Sequence, residues 1–263
     1  MSEWLYGRQV VRVALSAGAR RRALRLAATA PALKALGGLV PSGLPVRKAA
    51  GAELEALTRS AEHQGVALEV TPYPYADAAA LLGADLLVVL DEVSDPRNLG
   101  AVARSALAAG AGGLVLPRRR AAHVTPPAVK ASAGALELLD VALVTNVTAF
   151  LEQARRAGFW IYGAAGAASR SYLDLDLRDR VVLVLGAEGR GLRPRVARAC
   201  DDLAAIPLDP RVESLNVSVA AAVVLFEAVR QRGGGVARGQ TALGGAPRSG
   251  AVQRRPRRGG EHR

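Results

Sequence analysis

The sequence predicts an α/β fold with a mostly parallel sheet, preceded by a smaller α/β module. Short apolar runs of the kind that form buried strands recur along the chain, with helix-forming stretches between them. Such alternation is typical of a parallel sheet that is covered by helices on both faces. Ligands of these sheets bind beyond the carboxyl ends of the strands, so the loops that follow the strands are the place to look for a site.

Three predicted strands each run into a polar loop that contains glycine or proline. Leu86–Leu90 is followed by DEVSDPRNLG, Val181–Leu185 by GAEGRG, and Ala204–Leu208 by DPRVES. A helix is predicted to begin near Asn216, after the third of these loops. Because each loop follows the carboxyl end of a strand, the three loops are the first candidates for a functional site.

Polar side chains crowd the start of this last helix, where Ser214, Asn216 and Ser218 alternate with apolar residues. Free N–H groups at a helix N-terminus can hold an anion or the polar edge of a ligand. The same side chains can also act as an ordinary N-cap that satisfies those N–H groups. The sequence leaves both interpretations open.

Composition and pattern divide the chain into four segments. We predict an N-terminal domain over residues 1–75, a linker over 76–85, a second domain over 86–232 and a tail over 233–263. Two prolines in Thr71–Tyr75 favour an extended connection, whose tyrosines are expected to pack across the domain seam. The other predicted helices and strands are Gly7–Leu15, Glu53–Gln64, Val66–Val70, Ala101–Ala109, Gly113–Leu116, Pro126–Ala133, Val141–Val144, Val147–Ala157 and Phe159–Ala164.

Positive charge is concentrated at the two ends of the chain. Of the net charge of +12, residues 1–75 carry +5 (ten Lys/Arg, five acids), 76–232 carry +1 (eighteen and seventeen) and 233–263 carry +6 (seven and one). This asymmetry favours a polyanionic partner such as nucleic acid, although a solvated arginine-rich surface gives the same pattern. The Gly-, Arg- and Pro-rich tail is predicted to be disordered and to bind nucleic acid through its arginines.

The sequence indicates neither a membrane protein nor a metal-binding protein. No apolar run reaches the ~18 residues that a membrane helix needs, and the start of the chain lacks the apolar core of a secretory signal. We therefore expect a cytoplasmic protein. Cys200 is the single cysteine, and His63, His123 and His262 are far apart, so neither a disulfide framework nor a metal site is predicted.

The three loops and their flanks also resemble a known family. DPRNLGAVARSA (95–106), LVLGAEGRGL (183–192) and IPLDPRVESLNVSVA (206–220) are similar, in order and spacing, to the three motifs of the SpoU family. Its members are S-adenosylmethionine-dependent RNA ribose 2′-O-methyltransferases of the SPOUT superfamily. Tyr6-Gly7-Arg8 and residues 63–66 resemble, more weakly, the branch that methylates a guanosine of large-subunit ribosomal RNA.

The resemblance implies more than the pattern of strands and helices does. It implies a methyltransferase domain whose C-terminal segment is tied into a trefoil knot around the cofactor, whereas threaded chains are otherwise very rare. It implies that the N-terminal domain is similar to ribosomal protein L30e and contacts RNA. It also implies a homodimer, for which the Ala/Val-rich helix Val217–Val229 is the candidate interface.

The resemblance further implies roles for single residues. Gly186, Ile206 and Leu215 would bind S-adenosylmethionine. The candidate catalytic residues are Asn98, Arg104, Glu188, Ser214 and Asn216. The candidate RNA-binding residues are Arg20, Arg21, Arg22 and Arg104.

Two of these positions raise chemical questions. The resemblance implies that Arg104 is the residue nearest the 2′-OH. Because an arginine is effectively always protonated, clamping a phosphate is a simpler role for it than acting as a general base. The departing proton could pass through Arg104, to Ser214 or to water. Pro210 stands where the family usually has glycine, and proline fixes φ and removes a hydrogen-bond donor, which puts the loop geometry in question.

Three alternatives differ in substrate or in class. The same chemistry could act on tRNA or on another ribosomal RNA site. A non-catalytic RNA-binding assembly factor would keep the fold without the reaction. A nucleotide-binding oxidoreductase is disfavoured, because no G-x-G-x-x-G opens a helix after the first strand.

Overall fold

A computed structural model of the chain describes residues 2–234, and its N-terminal part is a mixed four-stranded sheet. The strands are β1 (Glu3–Tyr6), β2 (Ala23–Ala28), β3 (Val46–Lys48) and β4 (Val66–Val70), in the order β1-β4-β2-β3. β4 is antiparallel to β1 and β2, whereas β2 and β3 are parallel. The helices are α1 (Arg8–Ala14), α2 (Ala30–Leu36) and α3 (Gly51–Thr58).

The predicted helix over Glu53–Gln64 is wrong in its extent. α3 ends at Thr58 because Arg59 adopts a left-handed conformation with φ 53°, and a 3₁₀ turn, Ala61–His63, follows. The helix predicted over Gly7–Leu15 and the strand Val66–Val70 are confirmed. β1 to β3 were not predicted, since such short strands lack a clear alternation of apolar and polar residues.

The C-terminal part is a six-stranded sheet, and every neighbouring pair of its strands is parallel, as predicted. The strand order is β10-β8-β9-β5-β6-β7. Its strands are β5 (Leu86–Asp91), β6 (Gly113–Pro117), β7 (Asp140–Val144), β8 (Trp160–Ala164), β9 (Val181–Gly186) and β10 (Asp202–Ala204). The third predicted strand therefore lies earlier than Ala204–Leu208, and Ile206 is already in a loop.

Helices cover both faces of this sheet. Leu86, Val88 and Leu90 of β5 share a core with two helices, α5 (Pro96–Ala108) and α9 (Val217–Gln231). Leu87 and Val89 face two others, α7 (Val147–Arg156) and α8 (Pro194–Ala199). Successive side chains of a strand point to opposite faces, so a continuous apolar run serves both cores. The helices are α4 (Ala78–Leu81), α5 (Pro96–Ala108), α6 (Pro126–Ala131), α7 (Val147–Arg156), α8 (Pro194–Ala199) and α9 (Val217–Gln231). Within residues 2–234, no helix is both long and apolar enough to span a membrane.

α5 begins five residues before the predicted start at Ala101. Asp95 caps the helix by accepting a hydrogen bond from the Arg97 N–H at 2.8 Å, and Pro96 occupies the first helical position, which suits its fixed φ. Asn98 consequently lies inside the first turn and is not the N-cap.

The segment predicted to be a linker is packed against the C-terminal sheet. Ala76 pairs with Ala142 of β7, the Asp77 side chain caps α4, and Leu81 is buried. Residues 76–85 are thus part of the fold. In the predicted tail, residues 235–263 lie outside the described part of the chain, so its predicted disorder and RNA binding stay predictions.

Tyrosines pack across the seam between the two sheets, as predicted. Tyr73 is 8% exposed, and its hydroxyl donates to the Leu139 carbonyl at 2.8 Å. The Tyr75 hydroxyl accepts a hydrogen bond from the Val124 N–H at 2.9 Å.

Arg20 and Arg21 also belong to this seam. The burial of Arg21 contradicts the prediction that it binds RNA, whereas Arg20 is 20% exposed and its RNA contact stays a prediction. The Arg21 guanidinium is buried and donates to Glu137 Oε1 from Nε at 2.9 Å and from Nη2 at 2.6 Å. Arg20 pairs with Asp140. Burial needs this pairing, because an unpaired buried charge is strongly unfavourable. Arg22 is exposed, its side chain has no partner among residues 2–234, and its predicted RNA contact stays a prediction.

These neighbouring arginines give a matched test of stability. Arg21→Ala should lower the free energy of unfolding by about 3–5 kcal/mol, because Glu137 is left buried without its partner. Arg22→Ala should change it by less than about 0.5 kcal/mol. Chemical denaturation followed by circular dichroism measures both. Equal effects of the two substitutions would contradict the assignment of Arg21 to the seam.

Candidate active site

The candidate site is built where β5 and β9 end side by side. The two strands pair in parallel from Leu86 with Val181 to Asp91 with Gly186. The loops that follow them therefore leave the same edge of the sheet next to each other, as expected from the sequence.

Asn98, Glu188 and Asn216 meet at this edge, and we call them the polar triangle. Asn98 Nδ2 donates to Glu188 Oε2 at 3.3 Å, and Asn216 Nδ2 donates to Asn98 Oδ1 at 3.0 Å. Asn216 Nδ2 also lies 3.5 Å from Glu188 Oε1. Three of the five predicted catalytic residues are thus brought together from three separate segments.

Asn216 plays two roles at once. Its Oδ1 accepts hydrogen bonds from the Ser218 N–H at 2.8 Å and from Ser218 Oγ at 2.6 Å, so it caps α9. Its Nδ2 contacts Asn98 and Glu188, the other two members of the polar triangle. The two interpretations that the sequence left open, helix cap and site residue, are therefore both compatible with the geometry.

An apolar cavity lies at the same carboxyl edge of the sheet, at the ends of β8, β9 and β10 and under α9, and none of its lining residues belongs to the polar triangle. About 360 Å³ of space lies between its walls when the adjoining open solvent is counted, so this is not the volume of a closed cavity. Its walls include Tyr162, Tyr172, Leu185, Ile206 and Val224. Burial raises the pKa of Tyr162. Such a cavity suits a flat, mostly apolar ring.

The predicted cofactor residues occupy different places around this cavity. Ile206 lines it, whereas Gly186 and Leu215 are not among its lining residues. Gly186 instead allows a close approach of backbone to backbone: a Cβ there would come within 2.1 Å of the Gly191 carbonyl carbon. Ala187 and Gly191 exchange two backbone hydrogen bonds, at 3.1 and 2.8 Å, and close the loop that carries Glu188.

An ion pair between a buried aspartate and a partly exposed arginine anchors the same loop, and the sequence does not predict it. Asp91 is fully buried at the end of β5 and accepts hydrogen bonds from the Arg193 backbone N–H at 3.0 Å and from Arg193 Nε at 2.8 Å. The hydrogen bonds to Asp91 raise the pKa of Arg193. In the sequence, the signal that could have indicated this ion pair is Asp91, an aspartate at the end of an otherwise apolar strand.

Arg104 and Ser214 stand outside the polar triangle. Arg104 is exposed on α5, six residues after Asn98, and at about 100° per residue the two side chains leave the helix in different directions. Ser214 is exposed and has no hydrogen-bond partner among residues 2–234. Among these residues, neither the Arg104 guanidinium nor the Ser214 hydroxyl is bonded to another group.

Pro210 fits its loop. The Val212 N–H donates to the Asp209 carbonyl at 2.8 Å, which closes a β-turn with Pro210 at its second position. Proline is favoured there, because its fixed φ matches the turn. The substitution for the family's usual glycine is therefore accommodated without a left-handed residue.

Comparison with known proteins places this fold and site in one family. The model of the SpoU rRNA Methylase family matches residues 85–226, and that of RNA 2′-O ribose methyltransferase substrate binding matches residues 4–76. The chain therefore belongs to the SpoU rRNA methylase family, and the resemblance seen in the three motifs is confirmed.

Individual relatives agree with this assignment. An uncharacterized tRNA/rRNA methyltransferase of Mycobacterium ulcerans is 40% identical over 241 residues, which cover 88% of this chain and 78% of that protein. One from Synechocystis is 44% identical over 187 residues, which cover 68% of this chain but only 49% of the relative. The SpoU methyltransferase AviRb of Streptomyces viridochromogenes, solved with AdoMet, has a TM-score of 0.75 and 27% identity, covering 88% of this chain and 90% of its own.

Proposed function

We propose that the chain is an S-adenosylmethionine-dependent RNA ribose 2′-O-methyltransferase that acts on a guanosine of large-subunit ribosomal RNA. The observation that carries this proposal is that the polar triangle and an apolar cavity lie at the same carboxyl edge of the parallel sheet. Membership of the SpoU family and the AdoMet bound to AviRb support it.

The cavity has the character that the cofactor requires. Its apolar walls, which include Ile206 and Tyr162, would suit an adenine ring. S-adenosylmethionine, when bound, supplies a methyl group from a positively charged sulfonium. The Glu188 carboxylate would interact favourably with that positive charge through space. Gly186 and Leu215 would contribute through the loops that they shape.

The polar triangle would align the acceptor ribose. The amides of Asn98 and Asn216 are held in fixed orientations by each other and by Glu188. These side chains therefore need little further ordering when the reaction takes place. Alignment of a hydroxyl behind a transferable methyl group can itself lower the barrier by several kcal/mol.

Arg104 acts in this proposal as a phosphate clamp. It is exposed and has no carboxylate partner among residues 2–234, so its guanidinium is available to a phosphate of the RNA. Because arginine stays protonated, the 2′-OH proton leaves through the exposed Ser214 or through solvent water.

The weaker resemblance of two short N-terminal motifs to the large-subunit branch is the reason to propose ribosomal RNA as the substrate. The two short motifs that resemble the large-subunit branch lie against each other: Arg8 N–H donates to Gln64 Oε1 at 2.9 Å, and Arg8 Nε to the Gln64 carbonyl at 3.2 Å. This domain is the part matched by the substrate-binding family model. A ribosomal RNA substrate is consistent with the cytoplasmic location predicted from the sequence.

Methyl transfer to RNA tests the proposal. Purified protein, labelled S-adenosylmethionine and unmodified large-subunit rRNA should yield label in an alkali-resistant dinucleotide, because a 2′-O-methyl group blocks cleavage at its own linkage. Arg104→Ala should lower the rate by about a hundredfold, as misplacement of the ribose would. Arg178→Ala, which removes an exposed arginine that pairs with Asp176, is the control and should retain activity.

Two other results of this experiment would have different meanings. Label in tRNA alone would show the proposed reaction on a substrate other than the proposed one. An absence of label in rRNA and tRNA, with RNA binding intact, would overturn the enzyme and favour the assembly factor.

We further propose that the protein is a homodimer joined through α9. Val219 and Phe226 on this helix are 48% and 50% exposed, and Ala222 and Val223 between them are half-buried. Residues at this spacing form one apolar stripe along a helix, of the kind that a partner covers.

Sedimentation velocity tests the dimer. Phe226→Glu should convert dimer to monomer, because it places a charge within the apolar stripe. Val46→Glu, at a position that is 42% exposed on β3, is the control and should leave the dimer intact. A monomeric wild-type protein, or a dimeric Phe226→Glu variant, would contradict the proposed interface.

A further inference from the structure

Residues Arg118, Arg119 and Arg120 take no part in the site described above, and we call them the arginine loop. They follow β6 directly, and all three are exposed. Within residues 2–234, the side chains of Arg118 and Arg119 have no carboxylate partner, and Arg120 reaches only Glu92, at 3.8 Å. Many other arginines pair closely with acids; they include Arg21, Arg155, Arg178, Arg193 and Arg230.

The backbone around these arginines is held firmly although their side chains are free. The Arg118 N–H donates to the Val144 carbonyl at 2.9 Å, and the Ala122 N–H donates to the Val93 carbonyl at 2.8 Å. Val93 belongs to the loop that leads into α5 and Asn98. The arginine loop therefore lies directly against one of the loops that build the polar triangle.

The strand order gives the arginine loop a position between two functional parts. β6 lies between β5, whose loop leads to the polar triangle, and β7, the edge strand next to the N-terminal domain. The N-terminal domain also reaches the segment that follows the arginine loop, because the Val124 N–H donates to the Tyr75 hydroxyl oxygen at 2.9 Å. An RNA held by both the N-terminal domain and the polar triangle would therefore pass the end of β6.

We propose that the arginine loop binds consecutive phosphates of the substrate RNA and guides the strand from the N-terminal domain to the polar triangle. The inference rests on the proposed function for the identity of the polyanion. Adjacent guanidinium groups without acidic partners repel one another, and phosphates relieve that repulsion with bidentate hydrogen bonds. Such contacts fix the position of the RNA and carry no base specificity.

The salt dependence of RNA binding tests this proposal without requiring catalysis. The binding of a large-subunit rRNA transcript would be measured in the absence of S-adenosylmethionine over a series of salt concentrations. Each phosphate contact contributes roughly 0.7–0.9 to the magnitude of the slope of log K against log salt. The Arg118→Ala/Arg119→Ala double variant loses two such contacts, so the magnitude of its slope should be smaller by about 1.5. Affinity near 0.1 M salt should then fall by about tenfold or more.

A charge-matched control separates local contact from net charge. Arg156→Ala/Arg178→Ala also removes two exposed arginines, but these precede β8 and β9 and so lie at the opposite edge of the sheet. This control should keep the wild-type slope and the wild-type rate of methyl transfer. Thermal unfolding of both double variants checks that they are folded.

Each outcome has a distinct meaning. A wild-type slope for the Arg118→Ala/Arg119→Ala variant, or an equal loss in the control, would overturn the arginine loop as a phosphate site. A wild-type protein that methylates no RNA would overturn the proposed function instead, and the comparison of slopes would still decide whether the loop binds RNA.

Discussion

The parallel pairing of β5 with β9 is the constraint on which the site depends. It brings together the loops that carry Asn98 and Glu188, which are 90 residues apart in sequence, at one edge of the sheet. Asp91 strengthens this arrangement, because its buried carboxylate at the end of β5 holds Arg193 at the far end of the Glu188 loop. α9 completes the site by directing the Asn216 amide at the other two residues while its oxygen caps the helix.

A second constraint fixes the N-terminal domain against the C-terminal sheet. Arg21 and Glu137 form a buried ion pair across the seam, and Tyr73 packs beside them. A buried ion pair adds little net stability compared with apolar packing, but it strongly penalises any arrangement that separates its partners. The domain matched by the substrate-binding family model is therefore held in one orientation relative to the polar triangle, and an RNA would meet a preformed surface.

The sequence predicts the central sheet well, because strands buried on both faces are continuous apolar runs such as Leu86–Leu90 and Val181–Leu185. It predicts Asn98, Glu188 and Asn216 through the three motifs. It does not predict that Arg21 is buried, since the burial depends on Glu137, 116 residues away. An Arg20-Arg21-Arg22 run looks the same in sequence whether its side chains face solvent or a seam. The trefoil knot and the catalytic and cofactor-binding roles of all the site residues stay predictions.

A crystal structure with S-adenosylhomocysteine tests most directly whether the polar triangle and the apolar cavity form one reaction centre. We expect the adenine in the cavity between Tyr162, Ile206 and Val224, with the sulfur facing the polar triangle. Adenine bound elsewhere, or a sulfur that faces away from Asn98, Glu188 and Asn216, would contradict it.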